Sequence, residues 1–484
     1  MHSSSSSSCS LTELSAFELA GLIRSKEISP VEVMEAHLSR IEELNPRVNA
    51  FVSVDRERAR AEARSAEALV ARHPEKRLLG VPISIKSCID VAGLLSEAGS
   101  RLRTGYKATQ DAPLVARLRQ EGAIVVGTTN TPEFLMSYHT ENSVYGRTNN
   151  PWNLAHSPGG SSGGEAAAIA SGMSAAGFGS DGGGSIRVPA HFCGICGLKP
   201  TPGRIPATGH YPPCGGPFSL IGVVGPMART VQDLKLLLDV TAGYDPGDPA
   251  CVPVPLEVTT ERKAVELAVG YYEDDGQTPA TEETRAAVRS AATALVDSGF
   301  SAEGFRPDGL DRARELWTTI FVEASALVLN PLVKDREDEI SAGTKEFLAL
   351  ASSRPALSAE RLLSTLIERD RVRSHVLEQM ERFPILLSPV CSVPAFPHAE
   401  AGWGERHAAN YLATMTYCQY FNLLGNPAAV VPVGVSAAGL PIGVQIIGRP
   451  YKEDEVLAVA SALDRRFGRK HLLSRLTPAD FQGE

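Results

Sequence analysis

A chain of 484 residues that is 43% hydrophobic and 21% charged can bury a sizeable core. Its 47 basic residues stand against 56 acidic ones, a formal charge of −9, which argues against a dedicated nucleic-acid binder, normally marked by a basic excess or stripe. No apolar run approaches the roughly 18 residues of a membrane span, and eight cysteines over this length fit a reduced, cytoplasmic protein.

The opening MHSSSSSSCS, residues 1–10, has neither a Lys/Arg cluster nor an apolar centre, so it does not read as a signal peptide. It reads as a disordered tail ahead of a domain over 11–484. Ser10 to Glu13 reads as a capping box opening a first helix, and Ser29 to Glu32 as a second box with Pro30 at the first helical position. Val33, Leu38, Ile41 and Leu44 give that second helix a buried face, and Asn45-Pro46 is expected to end it. After a charged helical run, Val81, Ile83 and Ile85 alternate as a strand that ends by delivering Lys86. APLVARLRQEGAIVVGTTN reads as a helix, a stop at Gly122 and a buried strand over Ile124 to Val126, one α/β step. Glu165 to Met173 is an alanine-rich, tightly packed helix, and about 203–225 a Pro/Gly-rich structured loop. From about 279 to 383 the pattern is helical and charged, a helical layer or lid. Strand character returns in PILLSPV and in AAVVPVGVSAAGLPIGVQIIG, turned at Ala437-Ala438-Gly439, before a last helix from about Asp454 to Phe467.

The chemistry concentrates in GFGSDGGGSIRVPA, Gly177 to Ala190. A phosphate-binding Walker loop needs a lysine directly before its Ser/Thr, and Gly184 stands before Ser185. The spacing does not fit a dinucleotide fingerprint either. A second Gly/Ser cluster, SPGGSSGGEAAA, puts Ser161 24 residues before Ser185. Both clusters are short and abut apolar segments, unlike flexible linkers. Cys193 and Cys196 in HFCGICG have zinc-ligand spacing but no second ligand pair follows, so they read as packing thiols and no metal or cofactor is expected.

Taken together, GVPISIK, SPGGSSGGEAAAIASG and SDGGGSIRVPAHFCGICGLKPTPGR resemble the amidase signature family, and GPMARTVQDLKLLLD and FNLLGNPAAVVPVGVSAAGLPIGVQIIGRP extend the likeness from about residue 11 to 470. The resemblance implies an α/β fold, a single large α/β/α sandwich around a mixed, mostly parallel sheet, with a signature core over about 80–230 and a helical lid-like insertion. It implies amide hydrolysis with Ser185 as nucleophile, Ser161 as a bridging serine after a cis peptide, and Lys86 as base. No histidine lies in these blocks in a triad-like role; a lysine serves only when neutral, and burial at a strand end lowers its pKa. Gly182, Gly183 and Gly184 with the Ser185 amide are expected to form an oxyanion nest. Leu135, Met136, Tyr138 and Gly160 are expected at the substrate, Asp181, Arg187 and Ser162 as structural neighbours, and His191, Trp152 and Trp403 as packing or pocket wall.

Relatives carry Thr, Ile or Gly at the position of Gly182, so this loop is expected to be roomier there. Together with Val188, Gly182 points away from the glutaminase-type subunit of a tRNA-dependent amidotransferase, the alternative enzyme reading; a non-catalytic binding protein is the other class. The expected partner is a small apolar aryl or alkyl amide, extending to carbamates, and the expected assembly a monomer or homodimer.

Overall fold

Short-range signals set the helix starts. In the computed structural model, which describes residues 10–407 and 409–468, Ser29 caps the helix Pro30–Val48 and Glu32 Oε2 accepts the Ser29 N–H at 2.9 Å. The first helix departs from expectation. It is Ala16–Arg24, boxed by Ser15 and Glu18, because Ala16, Leu19, Ala20 and Ile23 supply the buried stripe, while Ser10 to Glu13 forms only a turn. Pro46 does not end the second helix either, which runs on to the buried Val48 and stops where Asn49 turns left-handed at φ 53°. Residues 1–9 of the expected tail lie outside the described residues.

The α/β reading holds, around one 11-stranded sheet. Its order is Phe51–Val54, Ile124–Thr129, Pro82–Lys86, Ala176–Asp181, Val223–Ala228, Cys196–Lys199, Ala428–Val435, Pro441–Gly448, Ile385–Pro389, Ala268–Tyr271 and Ser301–Gly304. Pairing is parallel only where Pro82–Lys86 meets its two neighbours and Ala268–Tyr271 meets its two; every other pair is antiparallel. The sheet is therefore mixed and mostly antiparallel, not mostly parallel. Both faces are covered, so alternate residues of one strand enter opposite cores: Ala429 and Val431 one, Ala428 and Val430 the other. Such strands are apolar throughout whichever way they run.

Pro82–Lys86 and Ala176–Asp181 are parallel neighbours, with Ile85 opposite Phe178. Their carboxyl ends therefore share one edge of the sheet, where open α/β sheets place their ligands. The stretch expected as a helical layer is helical at Glu282–Asp297, Leu310–Trp317, Ala324–Val333, Ala342–Ser352 and Ala359–Gln379, but it also contributes the edge strand Ser301–Gly304. One helical rod within it, Leu310–Val333, is long and apolar enough by composition to cross a membrane, with mean hydropathy 1.5; 67% of that window is buried, as in a core helix.

Candidate active site

All five side chains of Pro82–Lys86 are buried, and the strand ends by pushing Lys86 among hydroxyls. Lys86 Nζ donates to Ser161 Oγ at 2.6 Å and to Ser180 Oγ at 3.1 Å. Burial is the leading influence on the ammonium and lowers its pKa to about 8, against the opposing fields of Cys88, Asp181 and Glu165. At pH 7 about a tenth of such a group is neutral, against under about one part in a thousand for a free lysine. Glu165, close by, is itself raised to about 8 by burial, although Ser84 Oγ and Thr129 Oγ1 donate to it, the latter at 2.7 Å.

Ser161 follows a cis peptide from Gly160, and its carbonyl accepts from Thr131 Oγ1 at 2.8 Å. Gly160 does not reach the substrate space expected for it: a Cβ there would lie 2.7 Å from Ser137 O and 2.8 Å from His139 N, so its lack of a side chain serves close backbone packing. Ser162 Oγ donates to Ser180 O at 3.3 Å, fastening this turn to the neighbouring strand. Ser185 Oγ has no hydrogen-bond partner among the described residues and opens onto the cavity that Ser161 also lines.

Between them the turn 181–185 is pinned peptide by peptide. Asp181 O accepts from Asn422 Nδ2 at 3.1 Å, Gly182 O from Trp317 Nε1 at 2.9 Å, Gly183 O from Tyr138 Oη at 2.7 Å and Gly184 O from Val188 N at 2.7 Å. These peptides are trans, so each N–H points opposite its pinned carbonyl. The Gly184 N–H is itself consumed, donating to Asp181 Oδ1 at 2.7 Å. That corrects the four-donor nest: among the described residues, only the amides of Gly182, Gly183 and Ser185 are free. Gly184 instead supplies φ 124° where a Cβ would strike Cys418 Cβ at 2.7 Å.

Asp181 and Arg187 form a fully buried ion pair at 3.1 Å. Burial alone would raise the Asp181 carboxyl, but Arg187 and the backbone amides around it hold it well below the usual carboxylate range. Arg187 also donates to Gln445 Oε1 at 3.0 Å, Cys418 O at 3.0 Å and Asn422 Oδ1, tying the turn to the C-terminal segments. Arg187→Met leaves that carboxylate buried and unpaired. It is expected to cost about 3–5 kcal/mol of stability, read as a lowered urea midpoint.

The cavity over Ser185 has a volume of about 290 Å³. Leu135 and Met136 line it; Tyr138 does not, because its hydroxyl is spent on Gly183 O. Phe321, Val328 and Leu329 of the rod Leu310–Val333, with Phe218, Ile221, His210 and Cys214 of the 203–225 region, complete walls that sequence reading did not assign. The room expected at Gly182 is filled: a Cβ there would sit 3.0 Å from Phe321 Cε2. A hint lay in ELWTTIFVEASALVL, where apolar residues surround the whole helix, as in one contacted on several sides. His191, Trp152 and Trp403 do pack, the indoles donating to Cys193 O at 2.9 Å and Met136 O at 3.1 Å. Cys193 and Cys196 are buried and bond separately, to Pro158 O and Arg229 O.

A lysine of lowered pKa, two serine hydroxyls and three unpaired amides around an apolar cavity make an arrangement able to move a proton and to hold a negative oxygen. Known proteins share the frame around it. The family model Amidase matches residues 32–457. The chain is 33% identical over 491 residues to the glutamyl-tRNA(Gln) amidotransferase A subunit of Geotalea daltonii, covering 94% of this chain and 97% of that one. It is 35% identical over 461 residues to indoleacetamide hydrolase of Bradyrhizobium diazoefficiens, covering 94% and 86%. The structure of a 6-aminohexanoate cyclic dimer hydrolase superposes with a TM-score of 0.83 at 30% identity, over 95% of this chain and 98% of its own. With the match spanning both the sheet and the turn that carries Ser185, the chain belongs to the amidase signature family.

Proposed function

We propose that this amidase hydrolyses the C–N bond of small amides with an apolar aryl or alkyl acyl group, through an acyl-enzyme on Ser185. The observation that carries this reading is the cavity itself: beside Ser161, Ser180, Asp181 and His210, Ser185 stands in a wall that is mostly apolar, with Phe134, Leu135, Met136, Phe321 and Leu329 among its residues, room for one small apolar group. The names of two relatives, indoleacetamide hydrolase and 6-aminohexanoate cyclic dimer hydrolase, fit aryl and alkyl amides respectively. Glutamine, the substrate of the amidotransferase reading, needs partners for an α-carboxylate and an α-ammonium. The acidic group in this wall, Asp181, is spent on Arg187.

In the proposed reaction, neutral Lys86 takes a proton from Ser161 as Ser161 takes one from Ser185, whose oxygen bonds to the carbonyl carbon. The amides of Gly182, Gly183 and Ser185 hold the resulting oxyanion. Ser161 then protonates the leaving nitrogen, refilled from Lys86, and the C–N bond breaks. Water attacks the ester by the same relay in reverse and releases the acid. A carbamate presents the same carbonyl with an alkoxy substituent, and urethane cleavage extends the reaction without a new group. Amine release from acyl anilides, aryl and alkyl primary amides, aryl carbamates and glutamine tests the reading. Apolar amides are expected to exceed glutamine in kcat/KM by about 10²-fold or more; a preference for glutamine overturns it.

A further inference from the structure

Of the four groups that pin the turn 181–185, one comes from the helical rod that also supplies Phe321, Val328 and Leu329 to the cavity wall. Trp317 closes the helix Leu310–Trp317, and its fully buried indole donates to Gly182 O at 2.9 Å. The chain then enters a π-helical turn, Thr318–Glu323, a local irregularity frequent at functional sites. Phe321, inside that turn, stacks on Trp317 with ring centroids 4.6 Å apart and planes 12° from parallel, and it faces the cavity. The two rings lie directly on the glycines: a Cβ on Gly183 would meet Trp317 Cζ2 at 2.5 Å, and one on Gly182 would meet Phe321 at 3.0 Å.

We propose that Trp317 is a positioning residue for the amide hydrolysis, acting through the Gly182–Gly183 peptide, and that Phe321 makes this positioning sensitive to the acyl group bound. The inference rests on the oxyanion role given above to these amides. Trp317 holds the carbonyl of a peptide whose N–H, on Gly183, has no other restraint among the described residues. Without the indole N–H the peptide plane is free to rock, and the Gly183 donor is aimed less well. The neighbouring Gly183–Gly184 peptide differs, because it is held at both ends, by Tyr138 at the carbonyl and Asp181 at the N–H. Since Phe321 joins the cavity to the indole by one stacked contact, an acyl group that presses on Phe321 is expected to change kcat and not binding alone.

The test compares Trp317→Phe, which keeps an aromatic ring and loses the N–H, with Tyr138→Phe. Trp317→Phe is expected to lower kcat at least about tenfold with KM within about twofold, the signature of an interaction made in the transition state. Its affinity for a trifluoromethyl ketone analogue of the best amide is expected to fall by a similar factor, while inhibition by the product acid stays constant. Tyr138→Phe is expected to lose less, about threefold, because Asp181 still holds its peptide. Equal losses in the two variants, or a Trp317→Phe kcat within twofold of the parent, overturn the inference. If Trp317→Phe does not fold, the indole N–H resonance of Trp317 in the parent protein decides: it is expected to shift when the trifluoromethyl ketone adduct forms, and an unmoved resonance overturns the inference. Ser185→Ala separates the two levels. A fully active Ser185→Ala removes the acyl-enzyme reading itself, whereas an inactive one beside a normal Trp317→Phe removes only the role of the indole.

Discussion

Ser185→Ala is expected to lower kcat/KM for the best amide by about 10⁴-fold or more while leaving the folded protein intact. The hydroxyl forms no hydrogen bond to another described residue, and Ser185 as a whole is 8% exposed at the cavity wall, so its removal orphans no partner and empties almost no packed volume. What disappears is the atom that bonds to the carbonyl. The amides of Gly182, Gly183 and Ser185 remain, and so does the apolar wall, so binding of the product acid should be nearly unchanged and a small residual rate should survive. Steady-state kinetics beside a thermal melt check both halves, and a fluorophosphonate adduct mapped to Ser185 in the parent, absent from the variant, checks the chemistry. Retention of more than about 1% of the parent rate would be incompatible with attack by Ser185.

Much of the scaffold around this serine was legible because its signals are local. Ser29, Pro30 and Glu32 announce a helix start within four consecutive residues, and Val81, Ile83 and Ile85 announce a buried strand with Lys86 at its end. Local signals fail where two copies compete. Ser10 to Glu13 and Ser15 to Glu18 carry the same pattern, and only the buried Ala16, Leu19, Ala20 and Ile23 decide for the second. Strand direction was illegible for another reason. Pro441–Gly448 buries every residue between two cores, and an apolar run of that kind carries no mark of parallel or antiparallel pairing.

The site divides along the same line. Ser161, Asp181, Ser185 and Arg187 sit in motif blocks, where Asp181 pairs with Arg187 six residues on and Ser162 bonds to Ser180. Trp317 and Phe321 lie far along the chain in a helix without any motif, yet they touch Gly182 and Gly183 directly. Sequence reading therefore saw a glycine without a side chain and inferred open space, whereas tertiary packing puts Phe321 in that space. The Gly184 amide was misread for a related reason. A run of glycines suggests a row of equivalent donors, but the Asp181 carboxylate at its head takes one of them.

Lys86→Ala is expected to reduce kcat/KM by a further measure of similar size, about 10³–10⁴-fold at pH 8, and to flatten its pH dependence. Only the neutral amine accepts the proton relayed through Ser161, and burial sets the Lys86 pKa at about 8. In the parent, activity should therefore fall about tenfold for each pH unit below 8 and level off above it, reaching about 1% of the plateau at pH 6. Lys86→Arg discriminates between a base and a fixed positive charge: guanidinium stays protonated throughout this range, so it is expected to be as inactive as alanine. The same lowered pKa has a thermodynamic face with the opposite sign. The unfolded chain binds the lysine proton up to about pH 10.5 and the folded one only up to about pH 8, so this group destabilises the fold below pH 8 and the cost fades between those two values. Lys86→Met is then expected to be more stable than the parent at pH 7 by up to about 3 kcal/mol, with the difference closing toward pH 10.5. A variant that is less active, more stable at neutral pH, and pH-independent in rate identifies a lysine held neutral for its chemistry. A parent profile flat from pH 6 to 9, or Lys86→Ala at the parent's rate at pH 8, would deny it that role.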